Sequence, residues 1–242
     1  MHNTEATRDV AARPAPDEGE RELKYTLPAG RADFTRRRLE ALCRRDPQYP
    51  AALVWTIYYD TSAMMSLGEK LNSDYLKRKI RVRWYSDLSG HVSGPAFVEA
   101  KLRIGNRRSK VRARLPFPAA DIARWDLQDP RFPGIPLLLR QYGVLGQESW
   151  QPVMMIRYRR DRFVDPLTQS RLSLDAEICV ISMHRRYVAR IDPSPLATAV
   201  LEVKGASEQL PATLRSLLPL GIRKSSFSKL LMLYAHVTDS VL

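Results

Sequence analysis

The sequence predicts an α+β fold in which a closed antiparallel β-barrel is flanked by helices. Charged and apolar residues alternate strictly in several short segments, such as Lys79–Trp84 and Lys110–Leu115, which is the two-residue period of a β-strand. Breaks that contain Gly or Pro separate these segments, as expected for antiparallel strands joined by turns. The charged side of the segments is strongly basic. A closed barrel would collect these side chains in one interior and remove exposed sheet edges.

The individual elements follow from local patterns. Glu22-Leu23-Lys24 marks the first strand, and later strands are predicted over residues 53–60, 76–85, 96–103, 108–115, 152–160, 170–180, 186–191 and 198–204. Gly105-Asn106 between two alternating runs predicts a hairpin turn. Helices are predicted over residues 32–45, 136–146, 211–218 and 225–237. The second helix should cap one end of the barrel, and the last two should pack outside it.

The length and the N-terminal composition indicate one domain with a short leader. A chain of 242 residues can bury a substantial core without dividing into two domains. Residues 1–19 contain Pro14 and Pro16, few large apolar side chains and no sustained period, so we predict a disordered tail. The folded domain is expected to cover residues 20–242.

The composition favours an anionic partner without identifying it. A formal net charge of +13 suits nucleic acid, an anionic membrane surface, a nucleotide or a phosphate chain. Cys43 and Cys179 have no close Cys or His companion, which argues against a disulfide framework or a zinc site. No stretch approaches the roughly 20 apolar residues that a membrane-spanning helix requires. We therefore expect a cytoplasmic protein without a transmembrane segment, and a membrane-protein partner remains open.

The charged faces of the predicted strands carry twelve basic residues against five acidic ones. A half-exposed sheet with its polar side in water is the ordinary explanation of such alternation. However, exposed sheets usually intersperse the two signs, and like charges opposite each other are destabilising, so this excess indicates a bound polyanion. Phosphoryl transfer would use both signs, because cations hold phosphate oxygens and carboxylates hold a divalent metal. Glu202 is the first metal candidate, with an ion pair to Arg as the alternative.

Nine short motifs carry a family resemblance. They are Glu22–Tyr25, Tyr58–Thr61, Lys79–Arg83, Phe97–Lys101, Lys110–Arg112, Tyr158–Arg160, Arg171–Asp175, Leu201–Lys204 and Phe227–Lys229. In this order they resemble the polyphosphate polymerase domain of the VTC (vacuolar transporter chaperone) family, which belongs to the triphosphate tunnel metalloenzymes. The resemblance covers about residues 20–235. It implies a closed tunnel that binds ATP by its triphosphate and transfers the terminal phosphoryl group to a growing inorganic polyphosphate chain.

The resemblance also implies roles for residues at the motif positions. The residues expected at the reacting phosphates are Lys24, Arg81, Arg83, Lys101, Arg160 and Arg171. The further phosphate-binding residues are Lys79, Lys110, Arg112, Lys204, Ser228 and Lys229. The expected ligands of Mn²⁺ or Mg²⁺ are Glu202, Glu22 and Glu99. The attacking group would be a phosphate oxygen of the acceptor, so no Ser, Cys or His nucleophile is required.

Two departures keep other functions open. Glu20, Glu22 and Lys24 spell the E-x-E-x-K signature of the sister CYTH branch, whose members hydrolyse triphosphates or cyclise ATP, whereas Lys204 favours the polymerase-like branch. Ser226 stands where polymerases often have Lys. A metal-dependent triphosphatase is therefore the second hypothesis, and a non-catalytic module that binds polyphosphate is the third. Nucleic acid is disfavoured, because the strand cations are predicted to point inward, where a duplex cannot enter.

Overall fold

The computed structural model describes residues 21–238, except residues 73, 106, 144–148 and 189. The predicted N-terminal tail therefore lies outside the described residues. So do Glu20 of the E-x-E-x-K signature and Asn106 of the predicted hairpin turn.

The described chain contains ten strands, four α-helices and three 3₁₀-helices. The strands are β1 (Arg21–Pro28), β2 (Arg44–Arg45), β3 (Ala51–Asp60), β4 (Leu76–Ser86), β5 (Pro95–Ile104), β6 (Arg107–Pro118), β7 (Gln151–Val164), β8 (Arg171–Met183), β9 (Thr198–Gly205) and β10 (Arg223–Lys224). The α-helices are α1 (Ala32–Leu42), α2 (Met65–Leu71), α3 (Ala119–Ile122) and α4 (Lys229–Thr238). The 3₁₀-helices cover Ala29–Arg31, Phe132–Tyr142 and Ala212–Leu220. No helix among the described residues is both long and apolar enough to cross a membrane.

All strands join one antiparallel sheet in the order β10-β1-β9-β8-β7-β3-β4-β5-β6, with β2 paired to β7. The α+β prediction is confirmed, and β5 and β6 form the expected hairpin. The closed barrel is not confirmed, because within the described residues the edge strands β6 and β10 do not pair with each other. The chain after β10 instead runs between the two sides of the sheet. Lys24 on β1 donates to the carbonyl of Phe227 (3.4 Å), and Lys79 on β4 donates to Ser228 Oγ (3.3 Å).

Three apolar clusters hold the fold together. On the outer face, α3 and the 132–142 helix cover β3 to β6 around the fully buried Trp84. Also on the outer face, α1 and the 212–220 helix cover β1, β8 and β9 around Leu39 and Leu201. The third cluster packs α4, through Leu230 and Leu233, on the opposite, inner face of the sheet.

Two predicted positions are therefore wrong. The helix predicted over residues 136–146 does not cap an end, because its apolar side chains pack flat on the outer face. The C-terminal helix does not pack outside. It belongs to the same buried apolar cluster as Tyr58 and Met154, which are register partners on the inner face, and Tyr58 is also the register partner of Arg81. Residues on paired positions of neighbouring strands point to the same side, so α4 shares the face of the charged side chains.

Local irregularities explain the remaining differences between the predicted and the observed strands. No strand forms over residues 186–191, whose described part is turn and irregular chain after β8. Glu177 has a positive φ of 54°, and the register of β8 against β7 shifts around it. This β-bulge turns the exposed Glu177 away from the charged face on which strict alternation would place it.

Candidate active site on the inner face of the sheet

The inner face forms a groove whose two sides face each other. Lys101 on β5 lies close enough to Glu22 on β1 and Lys204 on β9 for their charges to shift its pKa. We call one side the basic wall. It consists of Lys79, Arg81, Arg83, Lys101, Lys110 and Arg112 with Glu99, all on β4 to β6. We call the other the mixed-charge wall. It consists of Lys24, Arg160, Arg171, Lys204 and Lys229 with Glu22, Asp175 and Glu202, on β1, β7 to β9 and the first residue of α4.

Glu99 organises the basic wall. Its carboxylate is 1% exposed and accepts from Arg81 Nη2 (2.6 Å) and Nε (2.7 Å) and from Lys110 Nζ (2.7 Å), with Arg112 Nε at 3.5 Å. Burial raises the pKa of Glu99, but Arg81, Arg83 and Lys110 lower it far more, so this group is ionised. Both oxygens already face cations. This arrangement suits an anchor for phosphate-binding side chains better than the metal ligand that the sequence predicted.

Arg83 links the two walls. Its guanidinium donates through Nη2 to Tyr158 Oη on β7 (3.1 Å) and through Nε to Thr56 Oγ1 (3.2 Å). The side chain is buried and held in one orientation by these contacts. Tyr158 in turn lies under Lys229, whose Nζ is 4.8 Å from the ring centroid. A planar, fixed guanidinium is well suited to hold two oxygens of a phosphate group.

Lys79 and Lys101 carry charge that no described carboxylate neutralises by an ion pair. The only polar contact of the Lys79 ammonium among the described residues is the Ser228 hydroxyl. Burial, then the charges of Lys24, Lys70, Arg81 and Lys77, lower the pKa of Lys79 to about 8.

Lys101 shows the same excess of positive charge. Arg81, then burial, lower the pKa of Lys101 well below its ordinary value, although Glu22 acts in the opposite direction. A lysine whose charged form is disfavoured in the free protein gains most from a nearby anion. These two side chains therefore identify the part of the groove where an anion would be held most strongly.

The mixed-charge wall is internally paired. Arg160 donates two bonds of 2.6 Å to the two oxygens of Asp175, and Lys229 Nζ lies 2.6 Å from Asp175 Oδ2. Arg160 and Lys229 also lie 3.3 and 3.5 Å from Glu202. Asp175 is completely buried. The sequence placed Asp175 on the charged face but gave it no role in the site. The two-residue spacing of Asp175 from Ser173 and Arg171 is the sequence pattern that could have identified it as a site residue.

Glu22 and Glu202 form a carboxylate pair on β1 and β9. Lys24 Nζ lies 3.3 Å from Glu22 and 3.8 Å from Glu202, and Lys204 Nζ lies 3.7 Å from Glu22. Burial and the charge of Glu202 raise the pKa of Glu22, but Lys204, Lys24 and Lys101 lower it more. For Glu202, burial raises the pKa, but Lys229, Arg160 and Lys24 hold it well below its usual range. Both carboxylates are therefore ionised, and their cation contacts are longer than those of Glu99.

This pair fits one kind of metal site. Within the described residues no three Asp, Glu, His or Cys side chains are grouped as metal ligands. Mg²⁺ and similar ions are commonly bound by one or two carboxylates while substrate phosphates and water complete the coordination. Glu22 and Glu202 match that donor set, so they suit an ion that enters with a phosphate ligand.

The remaining predicted residues are the exposed Arg171, the partly exposed Lys204 and the buried Ser228. Arg171 is exposed at the start of β8, and Lys204 is its register partner near the end of β9. Ser228 is buried and contacts Lys79 just before α4 begins. The fold thus brings all fifteen predicted site residues to one face of the sheet. Two surface cavities, of about 280 and 250 Å³, lie away from this face and contain none of them.

Known structures share this fold. One is a putative adenylyl cyclase from Hippeastrum with a dominant triphosphatase activity, at TM-score 0.54 and 16% identity, covering 91% of this chain and 96% of that one. Another is a putative adenylate cyclase from Bacillus halodurans, at TM-score 0.51 and 14% identity, covering 87% of this chain and 95% of that one. At these identities the similarity establishes the fold.

The sequence itself establishes the family. Residues 20–238 match the VTC domain, and the chain belongs to this family, as the nine motifs predicted. Comparison with curated protein sequences gave no match.

Proposed function

We propose that the protein is an ATP-dependent phosphotransferase that transfers the γ-phosphoryl group of ATP to the end of an inorganic polyphosphate chain. The groove between the two walls would serve as the triphosphate tunnel of the family. The observation that carries this proposal is that Lys79 and Lys101 form no ion pair with any described carboxylate, and that neighbouring cations lower the pKa of both. This excess charge lies on the inner face of a sheet, where a linear polyanion can lie between the walls and a duplex cannot.

The chemistry requires positioning more than covalent help. In phosphoryl transfer the protein places the acceptor oxygen in line with the leaving group and stabilises charge on the non-bridging oxygens. Arg81 and Arg83 are oriented by Glu99 and Tyr158 before any ligand binds. They would hold the phosphate being transferred, while Lys79 and Lys101 neutralise the adjacent phosphates. Fixed donors of this kind need no reorganisation during the reaction, which is the main source of their stabilising effect.

Glu22 and Glu202 would hold Mn²⁺ or Mg²⁺ that arrives with the nucleotide. Such an ion would neutralise part of the charge of the bound phosphates. Lys24, between the two carboxylates, would contact both the protein acids and the bound phosphates. Asp175 keeps the neighbouring Arg160 and Lys229 in place and is not expected to contact the ion.

A metal-dependent triphosphatase is the second candidate, and the same carboxylate pair favours it. A carboxylate beside a phosphate site can orient a water molecule for attack, in which case orthophosphate replaces polymer as the product. The fold is also shared with the Hippeastrum protein, which has a dominant triphosphatase activity. The two candidates use the same cations and differ in what attacks the γ-phosphate.

The deciding experiment follows both products at once. The purified protein is incubated with ATP and Mn²⁺, and released orthophosphate and long-chain polyphosphate are measured over time, with Lys101→Met as the inactive control. Accumulation of polymer supports the polymerase. Orthophosphate without polymer establishes the triphosphatase instead. ATP binding without either product would overturn both and leave a non-catalytic binding module.

A further inference from the structure

A patch of exposed apolar side chains lies at the β5–β6 hairpin, outside the groove. It consists of Leu71, Tyr75, Leu76 and Ile104, which are 52%, 73%, 41% and 50% exposed. These residues come from the end of α2, the loop that follows it, and the first and last residues of two paired strands. The patch has no role in the proposed chemistry. Large apolar side chains grouped in this way usually mark an interaction surface.

Three of these residues, Tyr75, Leu76 and Ile104, adjoin one another at the hairpin. Leu76 and Ile104 are register partners at the ends of β4 and β5. Gly105 donates its amide to the carbonyl of Tyr75 (3.0 Å). A Cβ at Gly105 would lie 2.7 Å from the Tyr75 ring, so the ring rests directly on the turn. The aromatic side chain is thus held on the hairpin while most of its surface stays exposed.

Cations lie beside the patch at the end of the hairpin. Lys77 and Arg103 are register partners next to Leu76 and Ile104, and they point to the opposite, groove-facing side of the two strands. Lys70 lies in the last turn of α2. Burial, and then the charges of Lys77, Lys24 and Arg103, lower its pKa. None of Lys70, Lys77 and Arg103 forms an ion pair with a carboxylate in the described part of the chain. Asp74 is the one acidic residue from position 70 to 77, and Arg107 and Arg108 follow the turn in sequence.

We propose that this patch docks the protein on an anionic lipid surface. Exposed apolar side chains next to Lys and Arg are typical of surfaces that bind at a membrane interface. The apolar groups enter the headgroup region, and the Lys and Arg side chains attract anionic lipids. A second copy of the chain is a poorer occupant, because two such patches would bring like charges together. Lys77 and Arg103 are each two residues from the groove residues Lys79 and Lys101 on the same strands, so the patch adjoins the groove. Docking would therefore place one mouth of the groove beside the bilayer.

The proposal is tested by co-sedimentation of the full chain with vesicles. Vesicles of phosphatidylcholine alone are compared with vesicles of phosphatidylcholine and phosphatidylglycerol, at low and high salt. We expect binding only to the anionic vesicles, and weaker binding at high salt because the attraction is screened. Absence of binding to anionic vesicles at low salt, or equal binding to both vesicle types, overturns the proposal.

Two variants and one control locate the surface. The double variant Tyr75→Ser with Ile104→Ser should bind at least about tenfold more weakly, because both apolar groups that enter the headgroup region are lost. The double variant Lys70→Gln with Lys77→Gln should bind more weakly and depend less on salt. Leu167→Ser removes an apolar side chain that is 75% exposed in the β7–β8 turn and should leave binding unchanged.

The outcome is independent of catalysis. Each variant is first compared with the parent protein by thermal unfolding, so that a folding defect is separated from a binding defect. If Tyr75→Ser with Ile104→Ser binds as tightly as the parent, or if Leu167→Ser loses as much, the patch is not the docking surface. Loss of self-association in the first variant, without any vesicle binding by the parent, would assign the patch to a second copy of the chain and overturn the lipid proposal.

Discussion

The two walls of the groove use their charges in opposite ways. The mixed-charge wall carries five cations and three carboxylates, and its buried members pair with one another at distances as short as 2.6 Å. The basic wall has six cations around the single carboxylate of Glu99, so Lys79 and Lys101 remain without an ionic partner among the described residues. Arg160 and Lys229 are therefore neutralised in the free protein, whereas Lys79 and Lys101 lack a counter-charge in the described part of the chain until an anion binds. The difference separates the buried pairs around Asp175, which hold the structure together, from the two lysines that are available to a ligand.

The largest effect is expected from a substitution that breaks the buried ion pairs of the mixed-charge wall. Asp175→Asn removes the charge that Arg160 and Lys229 share, and it leaves both cations buried with less compensation. Breaking a buried ion pair in this way typically costs about 3–5 kcal/mol, so the free energy of unfolding should fall by roughly that amount. Denaturant unfolding measures the change. Asp33→Asn, in the exposed pair with Arg36, is the matched control and should unfold almost like the parent. A stable Asp175→Asn protein would contradict the structural role of this wall.

A substitution on the basic wall should show the reverse pattern. Lys101→Met removes a charge that opposes folding but favours ligand binding, because the lowered pKa of Lys101 means that its charged form is disfavoured in the free protein. ATP affinity should fall by about 10- to 100-fold, the equivalent of about 1.5–3 kcal/mol for a charged hydrogen bond. The free energy of unfolding should stay the same or rise.

Titration calorimetry and denaturant unfolding of the same protein test this pattern. Lys224→Met, which removes an exposed lysine on β10, should change neither quantity. Unchanged ATP affinity in Lys101→Met would show that the groove does not hold the triphosphate where we place it.

The pH dependence of binding sharpens the comparison. Lys79 has a pKa of about 8 in the free protein, and a bound polyanion should raise it. Below about pH 8 this side chain is protonated with or without ligand. Above that pH it must take up a proton on binding, so its contribution should lower ATP affinity by up to about tenfold per pH unit.

Calorimetry near pH 9 in buffers of different ionisation enthalpy measures this proton uptake. Lys79→Met should take up fewer protons than the parent, whereas Lys224→Met should not differ from it. If the parent takes up no proton on binding ATP at this pH, Lys79 is not close to the ligand.

The smallest effect concerns the carboxylate pair. Glu22→Gln removes one of the two negative charges that would hold a divalent ion, at a position that is still partly open to solvent. The Mn²⁺ concentration required for half-maximal turnover should rise roughly fivefold, the equivalent of about 1 kcal/mol for a solvent-screened charge pair. ATP affinity without metal should not fall, because a negative charge is lost from the groove. An unchanged metal requirement would exclude Glu22 as a ligand.

Some of this organisation could be predicted without tertiary contacts. Strict alternation located β4, β5 and β6 to within a few residues, because the two-residue period is a property of the strand itself. The same alternation predicted that the site residues share one face. It failed at Glu177, where a bulge interrupts the period, and over residues 186–191, whose described part forms no strand despite its strand-like composition. Such irregularities depend on partners that are remote in sequence.

Thus the sequence by itself determined the strand pattern, the basic excess of one sheet face and, through nine motifs, the family. Tertiary structure decided which charges neutralise each other. Asp175 contacts Arg160 because two strands pair in one register, and it contacts Lys229 because α4 packs on the inner face. Lys79 and Lys101 form no ion pair with any described residue, because strand register places them opposite each other and the other wall adds mainly cations. Coulomb interactions depend on distance and burial in space, and neither quantity is fixed by separation along the chain.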